Sequence, residues 1–346
     1  MRGDPGLEIV EHVRAAFDPG AEWCALAPRG FTWWPSVWSQ RIEADAPRRE
    51  GGRDVWRVQA ELDLLRGVEG TGEAFARMAS WNAMHPGLSA LRWNGDAKTV
   101  SLCATVYVRP GDAEFAGREL ATAALLQLAD AARDGDALAA DLDGELAASA
   151  APGGDLRTEP DALLDGWRQV AEAGAKPSPF TAQRLQAVSA AKGAPWLRVR
   201  VDGGGLHAEL PCALAGESEP GSAPGANVAL AHLLHAQPHP ALGAGLLGVL
   251  TLPPQAEPVR ERVVATAALL NEAEAREHTG VDGTGAWCFH PQAGLAFVTF
   301  VPALLDEPAR IERLVGALAG RAAWARAFLA RIARMRDERP ADGAGA

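Results

Sequence analysis

Apolar positions along the chain follow two periods, one typical of helices and one typical of strands. Spacings of three and four residues predict helices, and alternating or continuous apolar runs predict strands. In the first half the pattern predicts a helix at about Leu7–Ala16, strands near Glu22–Leu26, Phe31–Glu43 and Val55–Leu65, a helix at about Gly72–His85, a hairpin at Leu88–Trp93 and Thr99–Val108, and a long helix over Ala113–Leu142.

The second half repeats this order of elements. The pattern predicts a helix at about Phe180–Ala191, strands near Trp196–Pro211 (bent or split), Ala226–Leu234 and Gly245–Leu252, a helix at about Pro258–His278, a hairpin at about Gly285–Val301, and a closing helix over Glu307–Arg334. Short connections between successive strands favour antiparallel pairing, because a parallel pair needs a long crossover. We therefore predict an α+β protein of two tandem α-βββ-α-ββ-α units, each an antiparallel sheet with helices packed on it.

Shifts in composition predict where the two units begin and end. The run Ala151-Pro152-Gly153-Gly154 is typical of a linker, and the final residues are rich in Pro, Gly and Ala. The predicted organisation is a Trp-rich domain at 1–145, a linker with a possible short helix at 146–179, a second domain at 180–335 and a disordered tail at 336–346.

Charge and hydropathy exclude several classes of protein. The net charge of −11 and the pI near 5.3 repel polyanions, so we expect no nucleic-acid partner. The longest stretch without charged residues, Pro220–Ala256, is interrupted by prolines and predicts strands between turns, not a membrane span. We expect an acidic, cytoplasmic protein.

Histidines and cysteines offer few candidates for chemistry. The best metal candidates are His232, His235 and His239, but on a strand His232 and His235 would point to opposite faces. The cysteines form no C-x-x-C pair and each lies in or beside an apolar run, which favours buried, reduced thiols over zinc ligands. They are Cys24, Cys103, Cys212 and Cys288.

Other polar clusters have structural explanations. The residues around His278 at a helix end favour helix capping, with Gly280 as the terminating residue. Asp202-Gly203-Gly204-Gly205 lacks the lysine and the following helix of a phosphate loop, and predicts a hairpin turn. Cys288 and His290 would share a strand face, yet no third group orients that histidine. We predict no catalytic residue, no metal and no cofactor.

Tryptophan provides the strongest indication of a binding surface. Eleven tryptophans accompany one tyrosine, and seven of them precede the linker. Most should lie in the core, since a large aromatic side chain buries much apolar area. Any that lie on an uncovered sheet face would mark a partner site, especially beside arginine. By strand parity Trp34 and Trp38 share one face, unless a bulge at Pro35 shifts the register, and Trp33 points the other way. The predicted partner-binding residues are Trp33, Trp34, Trp38, Arg41 and Trp56.

The order of elements resembles a known family. The run Gly285–Val301, followed by a helix with Asp306 as its N-cap, and the run His239–Leu247 are similar to parts of the type III secretion chaperone fold (CesT/Tir chaperone group) and of YbjN-like domains. The resemblance implies acidic, non-enzymatic proteins that hold partner polypeptides in extended form, often as homodimers. A tandem of such units would resemble a dimer fused in one chain, so an intramolecular pseudo-dimer, a monomer and a homodimer all remain open.

We therefore predict a chaperone-like or adaptor-like protein that binds a polypeptide client on a sheet face or a strand edge. Two alternatives remain. One is a small-molecule-sensing regulatory protein with a pocket between the two domains. The other is an enzyme of unrecognised type, with His232, His235 or His278 in a cleft.

Overall fold

A computed structural model describes residues 3–109, 113–164, 198–202, 205–212, 228–235, 243–253, 259–281, 284–291, 293–302, 305 and 310–337. These residues contain two antiparallel sheets and five α-helices of thirteen residues or more, which confirms the predicted α+β class. The helices are α1 (Pro5–Phe17), α2 (Gly72–Met84), α3 (Ala113–Asp141), α4 (Arg260–Arg276) and α5 (Arg310–Asp337).

Side-chain caps explain where two of the helices begin. A carboxylate oxygen of Asp4 accepts a hydrogen bond from the Leu7 backbone N–H at 3.2 Å, and the Thr71 hydroxyl accepts one from Ala74 at 3.1 Å. Such caps satisfy backbone N–H groups that the first helical turn leaves without partners. None of the described helices is long and apolar enough to cross a membrane.

The first sheet, sheet 1, has the strand order β1-β2-β3-β5-β7-β6, with β4 and β8 paired to β5. Sheet 2 has the order β9-β10-β11-β12-β14-β13. The strands of sheet 1 are β1 (Cys24–Ala27), β2 (Gly30–Trp33), β3 (Gln40–Ala44), β4 (Arg48–Glu50), β5 (Arg53–Arg66), β6 (Ala90–Asn94), β7 (Thr99–Val108) and β8 (Glu145–Leu146). The strands of sheet 2 are β9 (Arg198–Asp202), β10 (Gly205–Pro211), β11 (Val228–His235), β12 (Gly245–Thr251), β13 (Ala286–His290) and β14 (Gly294–Pro302).

Each sheet begins with a meander of four strands where the sequence predicted three. The predicted strand Phe31–Glu43 is two strands, β2 and β3, separated by a loop that contains Pro35. Proline has no backbone N–H to donate to a sheet and therefore interrupts the pairing. The predicted run Trp196–Pro211 is likewise split, into β9 and β10.

In each sheet one row of paired residues crosses six strands in the same order. In sheet 1 one row of paired residues is Leu91, Leu102, Leu62, Gln40, Trp33 and Cys24. The matching row in sheet 2 is Trp287, Phe297, Leu250, Ala231, Ala208 and Val199. The helix predicted at Phe180–Ala191 lies outside the described residues, so a tandem of two complete units stays a prediction.

The two rows are aligned on a pair of hydrogen bonds that occurs in both halves. The Asn82 side chain on α2 accepts from the Leu91 N–H at 2.9 Å and donates to the Leu91 carbonyl at 3.5 Å. The Asn271 side chain on α4 makes the same two bonds to Trp287, at 2.8 Å and 2.9 Å. Each asparagine therefore ties the middle helix of its half to the edge strand of its own sheet.

We expect Asn82→Ala and Asn271→Ala to destabilise the protein by similar amounts. Each change leaves a buried backbone N–H and carbonyl without partners, at a cost of about 1–3 kcal/mol. Urea unfolding measures the loss. Glu11→Ala on the exposed side of α1 is the control, since Glu11 bonds only to the nearby Arg14 among the contacts described, and its effect should stay within about 0.5 kcal/mol. If only one of the two variants lost stability, the two asparagines would not have equivalent roles.

The middle helices also join the two halves. One side of helix α4 packs on the core of sheet 2 through Ala267, Leu270 and Ala273. The last turn of α4 lies on the outer face of sheet 1. Helix α2 does the reverse: Met78 and Trp81 enter the core of sheet 1, and the helix contacts β13 of sheet 2. Each middle helix thus contacts the other half as well as its own.

Candidate binding site on the second sheet

The outer face of sheet 1 is occupied by the end of α4. Arg57 on β5 donates hydrogen bonds to the backbone carbonyls of Ala275 and Arg276, the latter at 3.1 Å. The Tyr107 hydroxyl on β7 donates to the Glu277 carbonyl at 3.1 Å. A positively charged side chain is favourable at the C-terminal end of a helix, where the helix dipole is negative. It also donates hydrogen bonds to the last carbonyls, which have no partner inside the helix. Arg57 therefore caps the C-terminal end of this helix, a role that the sequence analysis gave to His278 and its neighbours.

His278 has a different place in this contact. Its side chain is fully buried, its Nδ1 lies 2.9 Å from a carboxylate oxygen of Glu50, and its ring packs edge-on against Tyr107 with centroids 5.0 Å apart. Glu274 pairs with Arg321 at 2.8 Å, and Glu277 pairs with Arg331 at 2.9 Å. Asp282 lies outside the described residues. The polar cluster at the helix end is thus divided among separate structural contacts.

A network of charges joins sheet 1 to α4 beside this helix end. Glu61 on β5 pairs with Arg41 and Arg92, and Arg92 lies 3.7 Å from a carboxylate oxygen of Glu272 on α4. Burial alone would raise the pKa of Glu61, but Arg92 and Arg41 outweigh it and hold that pKa below its usual range. Burial raises the pKa of Glu272, against the opposing influence of Arg92. The network is an internal contact and exposes little to a partner.

One cleft between the described parts of the two halves is small. Its volume is about 30 Å³, and its lining includes Cys103, Tyr107, Asn271 and Thr284. That is the space of about one water molecule. This position offers no room for the metabolite that a sensing function would need.

The tryptophans predicted as partner-binding residues lie in the core. Trp33 is 0% exposed and Trp34, Trp38 and Trp56 are 7–9% exposed. The predicted parity of Trp34 and Trp38 does not apply, because both lie in the loop between β2 and β3 and not on a strand. The segment after β8 covers this loop: the Ser149 N–H donates to the Val37 carbonyl at 2.9 Å.

This burial corrects the expectation of an exposed aromatic patch. The apolar area of these four tryptophans is already used to stabilise the first half, so little of it is accessible to a client. Of the five predicted residues, Arg41 alone is exposed, and its guanidinium is paired with Glu61.

The outer face of sheet 2 carries partly exposed aliphatic side chains on adjacent strands. Burial alternates along β12, with inward residues buried and outward residues partly exposed. The outward side of β11 includes Leu230, which is 43% exposed, and the half-buried Leu234. Leu247 and Val249 are half-buried on the outward side of β12. Helix α5 packs on β10 and β11 from the opposite, inner side.

Helix α2 forms one border of this surface. Ala83 packs against a cluster of Cys288, Ala296 and Val298 on the outer side of β13 and β14, and Val249 on β12 packs against the same cluster. Beyond this contact the apolar surface continues over β11. An accessible apolar area bordered by polar residues is the usual mark of a partner site.

Three cationic or titratable residues form a row across the strands next to this apolar surface. Arg200 on β9 pairs with His207 on β10, and His207 pairs with His232 on β11. The two imidazole Nδ1 atoms are 2.7 Å apart. Burial first, then His207 and Arg200, lowers the pKa of His232. We call Arg200, His207 and His232 the cationic row.

The remaining candidates for chemistry do not assemble into a site. His232 faces outward, whereas the side chain of His235 and the whole of His239 lie outside the described residues. Within the described part of the chain, no three His, Cys, Asp or Glu residues converge to hold a metal ion. Burial raises the pKa of Cys288 to about 12, so its sulfur is a thiol at neutral pH and a poor nucleophile. Among the described residues, the four cysteines form no disulfide with one another.

The sequence did not indicate the contribution of His207. Its partner across the strands is fixed by the register of β10 against β11, and the chain between these strands is long. The alternation of Trp196–Val201 did predict the face of Arg200, because Val199 and Val201 pack against the core. The chain matches no protein-family model, no curated protein and no solved structure.

Proposed function

We propose that the protein binds a polypeptide partner, without catalysing a reaction, and that the partner lies on the outer face of sheet 2. The observation that carries this proposal is the accessible aliphatic surface of Leu230, Leu234, Leu247 and Val249, which lies across two adjacent strands. The resemblance to chaperones that hold extended polypeptides supports the same function.

Charge complementarity defines the partner. The aliphatic surface is next to the cationic row, and Arg198, at the exposed edge of sheet 2, has a side chain that is 85% exposed. An extended segment with aliphatic residues and acidic residues would place its apolar side chains on Leu230 and its neighbours and its carboxylates near the arginines. We therefore propose an extended acidic and aliphatic segment as the bound form, in the cytoplasm.

An array of random 15-residue peptides tests this function. We expect the full-length protein to retain peptides enriched in Leu, Ile or Val together with Asp or Glu. Leu230→Asp should weaken retention at least tenfold, because it removes apolar contact and repels an acidic segment. Leu269→Asp on α4 is the matched control, since Leu269 is similarly exposed at 38% but lies away from the surface.

Two results would contradict the proposal: retention of no peptide by a folded, monodisperse protein, or equal retention by wild type and Leu230→Asp. Failure of this kind would favour the alternative of small-molecule sensing. A depression of about 360 Å³ between the first turns of α2 and α4, lined by Phe75, Ala76, Val264 and Ala265 among others, has the volume of a small ligand site.

A further inference from the structure

The segment that follows β8 lies across the loop between β2 and β3. We call residues 147–164 the strap and residues 34–39 the aromatic loop. Three backbone carbonyls of the aromatic loop accept hydrogen bonds from the strap: that of Val37 from the Ser149 N–H at 2.9 Å, that of Pro35 from the Asp161 N–H at 2.8 Å, and that of Trp34 from the Arg157 guanidinium at 3.0 Å. The strap therefore contacts the loop in the way that a bound polypeptide would.

Arg157 connects the strap to a second aromatic residue. Its guanidinium lies over the ring of the half-buried Trp23, at 5.1 Å from the ring centroid, and pairs with Asp161 at 3.0 Å. A guanidinium over an indole ring gains a cation–π attraction, and it donates more hydrogen bonds in a fixed plane than an ammonium can. Trp23 and the carbonyl of Trp34 therefore form a place for one arginine side chain within an extended segment.

The strap has few buried side chains of its own. Only Ala151 is buried, and Leu163 and Leu164 at the end of the strap pack partly against the core of the first half. In the aromatic loop the hydroxyl of Ser36, a residue that is 8% exposed, has no hydrogen-bond partner among the described residues. A segment with few buried apolar contacts opens at a lower free energy than the whole domain unfolds. Opening would expose Trp34 and the loop carbonyls, which then need other donors.

We propose that the strap is an intramolecular ligand that closes a second polypeptide-binding surface, formed by Trp23 and the aromatic loop, and that an extended segment with an arginine binds there when the strap opens. The arginine of the partner takes the place of Arg157 over the Trp23 ring. Backbone N–H groups of the partner replace those of Ser149 and Asp161. This surface is separate from the outer face of sheet 2, for which we propose an acidic and aliphatic partner.

A synthetic, fluorescent peptide with the sequence of residues 147–164 tests the inference by anisotropy. In the wild-type chain the strap competes with this peptide at an effective concentration of about millimolar, so we expect weak binding. Arg157→Gln in the full-length protein removes a charge-assisted hydrogen bond and the contact with Trp23 from the strap. The strap is then closed for less of the time, and the apparent affinity for the peptide should rise about tenfold or more.

Arg331→Gln is the matched control, because Arg331 also pairs with a carboxylate, that of Glu277 at 2.9 Å, and lies over an aromatic ring, but in the second half. It should bind the peptide as weakly as wild type. Hydrogen exchange gives a second readout: in wild type the Ser149 and Asp161 amides should exchange at least about tenfold faster than those in the middle of β5. Exchange as slow as that of β5, or equal peptide binding by Arg157→Gln and wild type, would overturn the inference and leave the proposed function on sheet 2 intact.

Discussion

Replacing Trp33 by alanine is expected to lower the free energy of unfolding by about 3–5 kcal/mol, the usual effect of removing a large aromatic side chain from a core. Trp33 is fully buried, and its ring lies 4.9 Å from that of Phe17 on α1. The side chain therefore joins the first helix to sheet 1. Urea unfolding, followed by circular dichroism, measures the change.

Two matched variants sharpen this prediction. Trp33→Phe should be much less destabilising than Trp33→Ala, because among the described residues the indole Nε1 of Trp33 has no hydrogen-bond partner to lose. Leu26→Ala, at a residue that is 74% exposed, should change stability by less than about 1 kcal/mol. If Trp33→Ala kept its stability and lost peptide binding instead, the assignment of this residue to the core would be wrong.

Replacing Glu61 by alanine is expected to cost about 3–5 kcal/mol at pH 7, because it leaves a buried arginine without its closest counter-ion. The side chains of Glu61 and Arg92 are 7% and 8% exposed. Arg92 would retain only the more distant carboxylate of Glu272, at 3.7 Å. The loss should also loosen the contact between the two halves, which limited proteolysis would detect.

The control for this prediction lies on the neighbouring strand. Glu43→Ala removes a carboxylate that is 56% exposed and 3.9 Å from Arg41, so its effect should be at most about 1 kcal/mol. The pKa of Glu61 is lowered in the folded state, so its contribution is present above the unfolded pKa and is lost as pH falls through the folded one. The difference between wild type and Glu61→Gln should therefore be constant from pH 6 to 8 and shrink below about pH 4.5. A difference that grew in acid would contradict the assigned ion pairs.

Local patterns were sufficient to predict most of the elements. The helical spacing of apolar residues placed α1, α2, α3 and α4 within a few residues of their observed ends. The signal Asn94-Gly95 marked the turn between β6 and β7, where the Asn94 side chain accepts from the Asp96 N–H at 3.1 Å. These features depend on interactions between residues that are close in the sequence, which is why pattern alone reveals them.

The errors arose where a single residue or a distant contact decides the structure. Pro35 divides one predicted strand into two and removes Trp34 and Trp38 from the face assigned to them. The burial of Trp34 also depends on Ser149, whose hydroxyl accepts from the indole N–H at 3.3 Å. A separation of 115 residues carries no periodic signal, so the sequence could not show which aromatic residues a later segment covers.

The contact between the halves was equally inaccessible to sequence reasoning. Arg57 caps the end of helix α4, which lies more than two hundred residues away in the chain. The sequence around Arg57 did not indicate that this helix is its partner. The candidate site likewise depends on contacts that the sequence does not show. His232 was recognised as a candidate, but its neighbour His207 is defined only by the pairing of β10 with β11.

Photo-crosslinking is the most direct test of binding on the outer face of sheet 2. The peptide that the array retains most strongly would carry a photoreactive leucine analogue, and mass spectrometry would locate the cross-links on the full-length protein. We expect cross-links to β10, β11 and β12, around Leu230 and Val249, that are lost in Leu230→Asp and kept in Leu269→Asp. Cross-links to sheet 1 or to the contact between the halves, unchanged in Leu230→Asp, would contradict it.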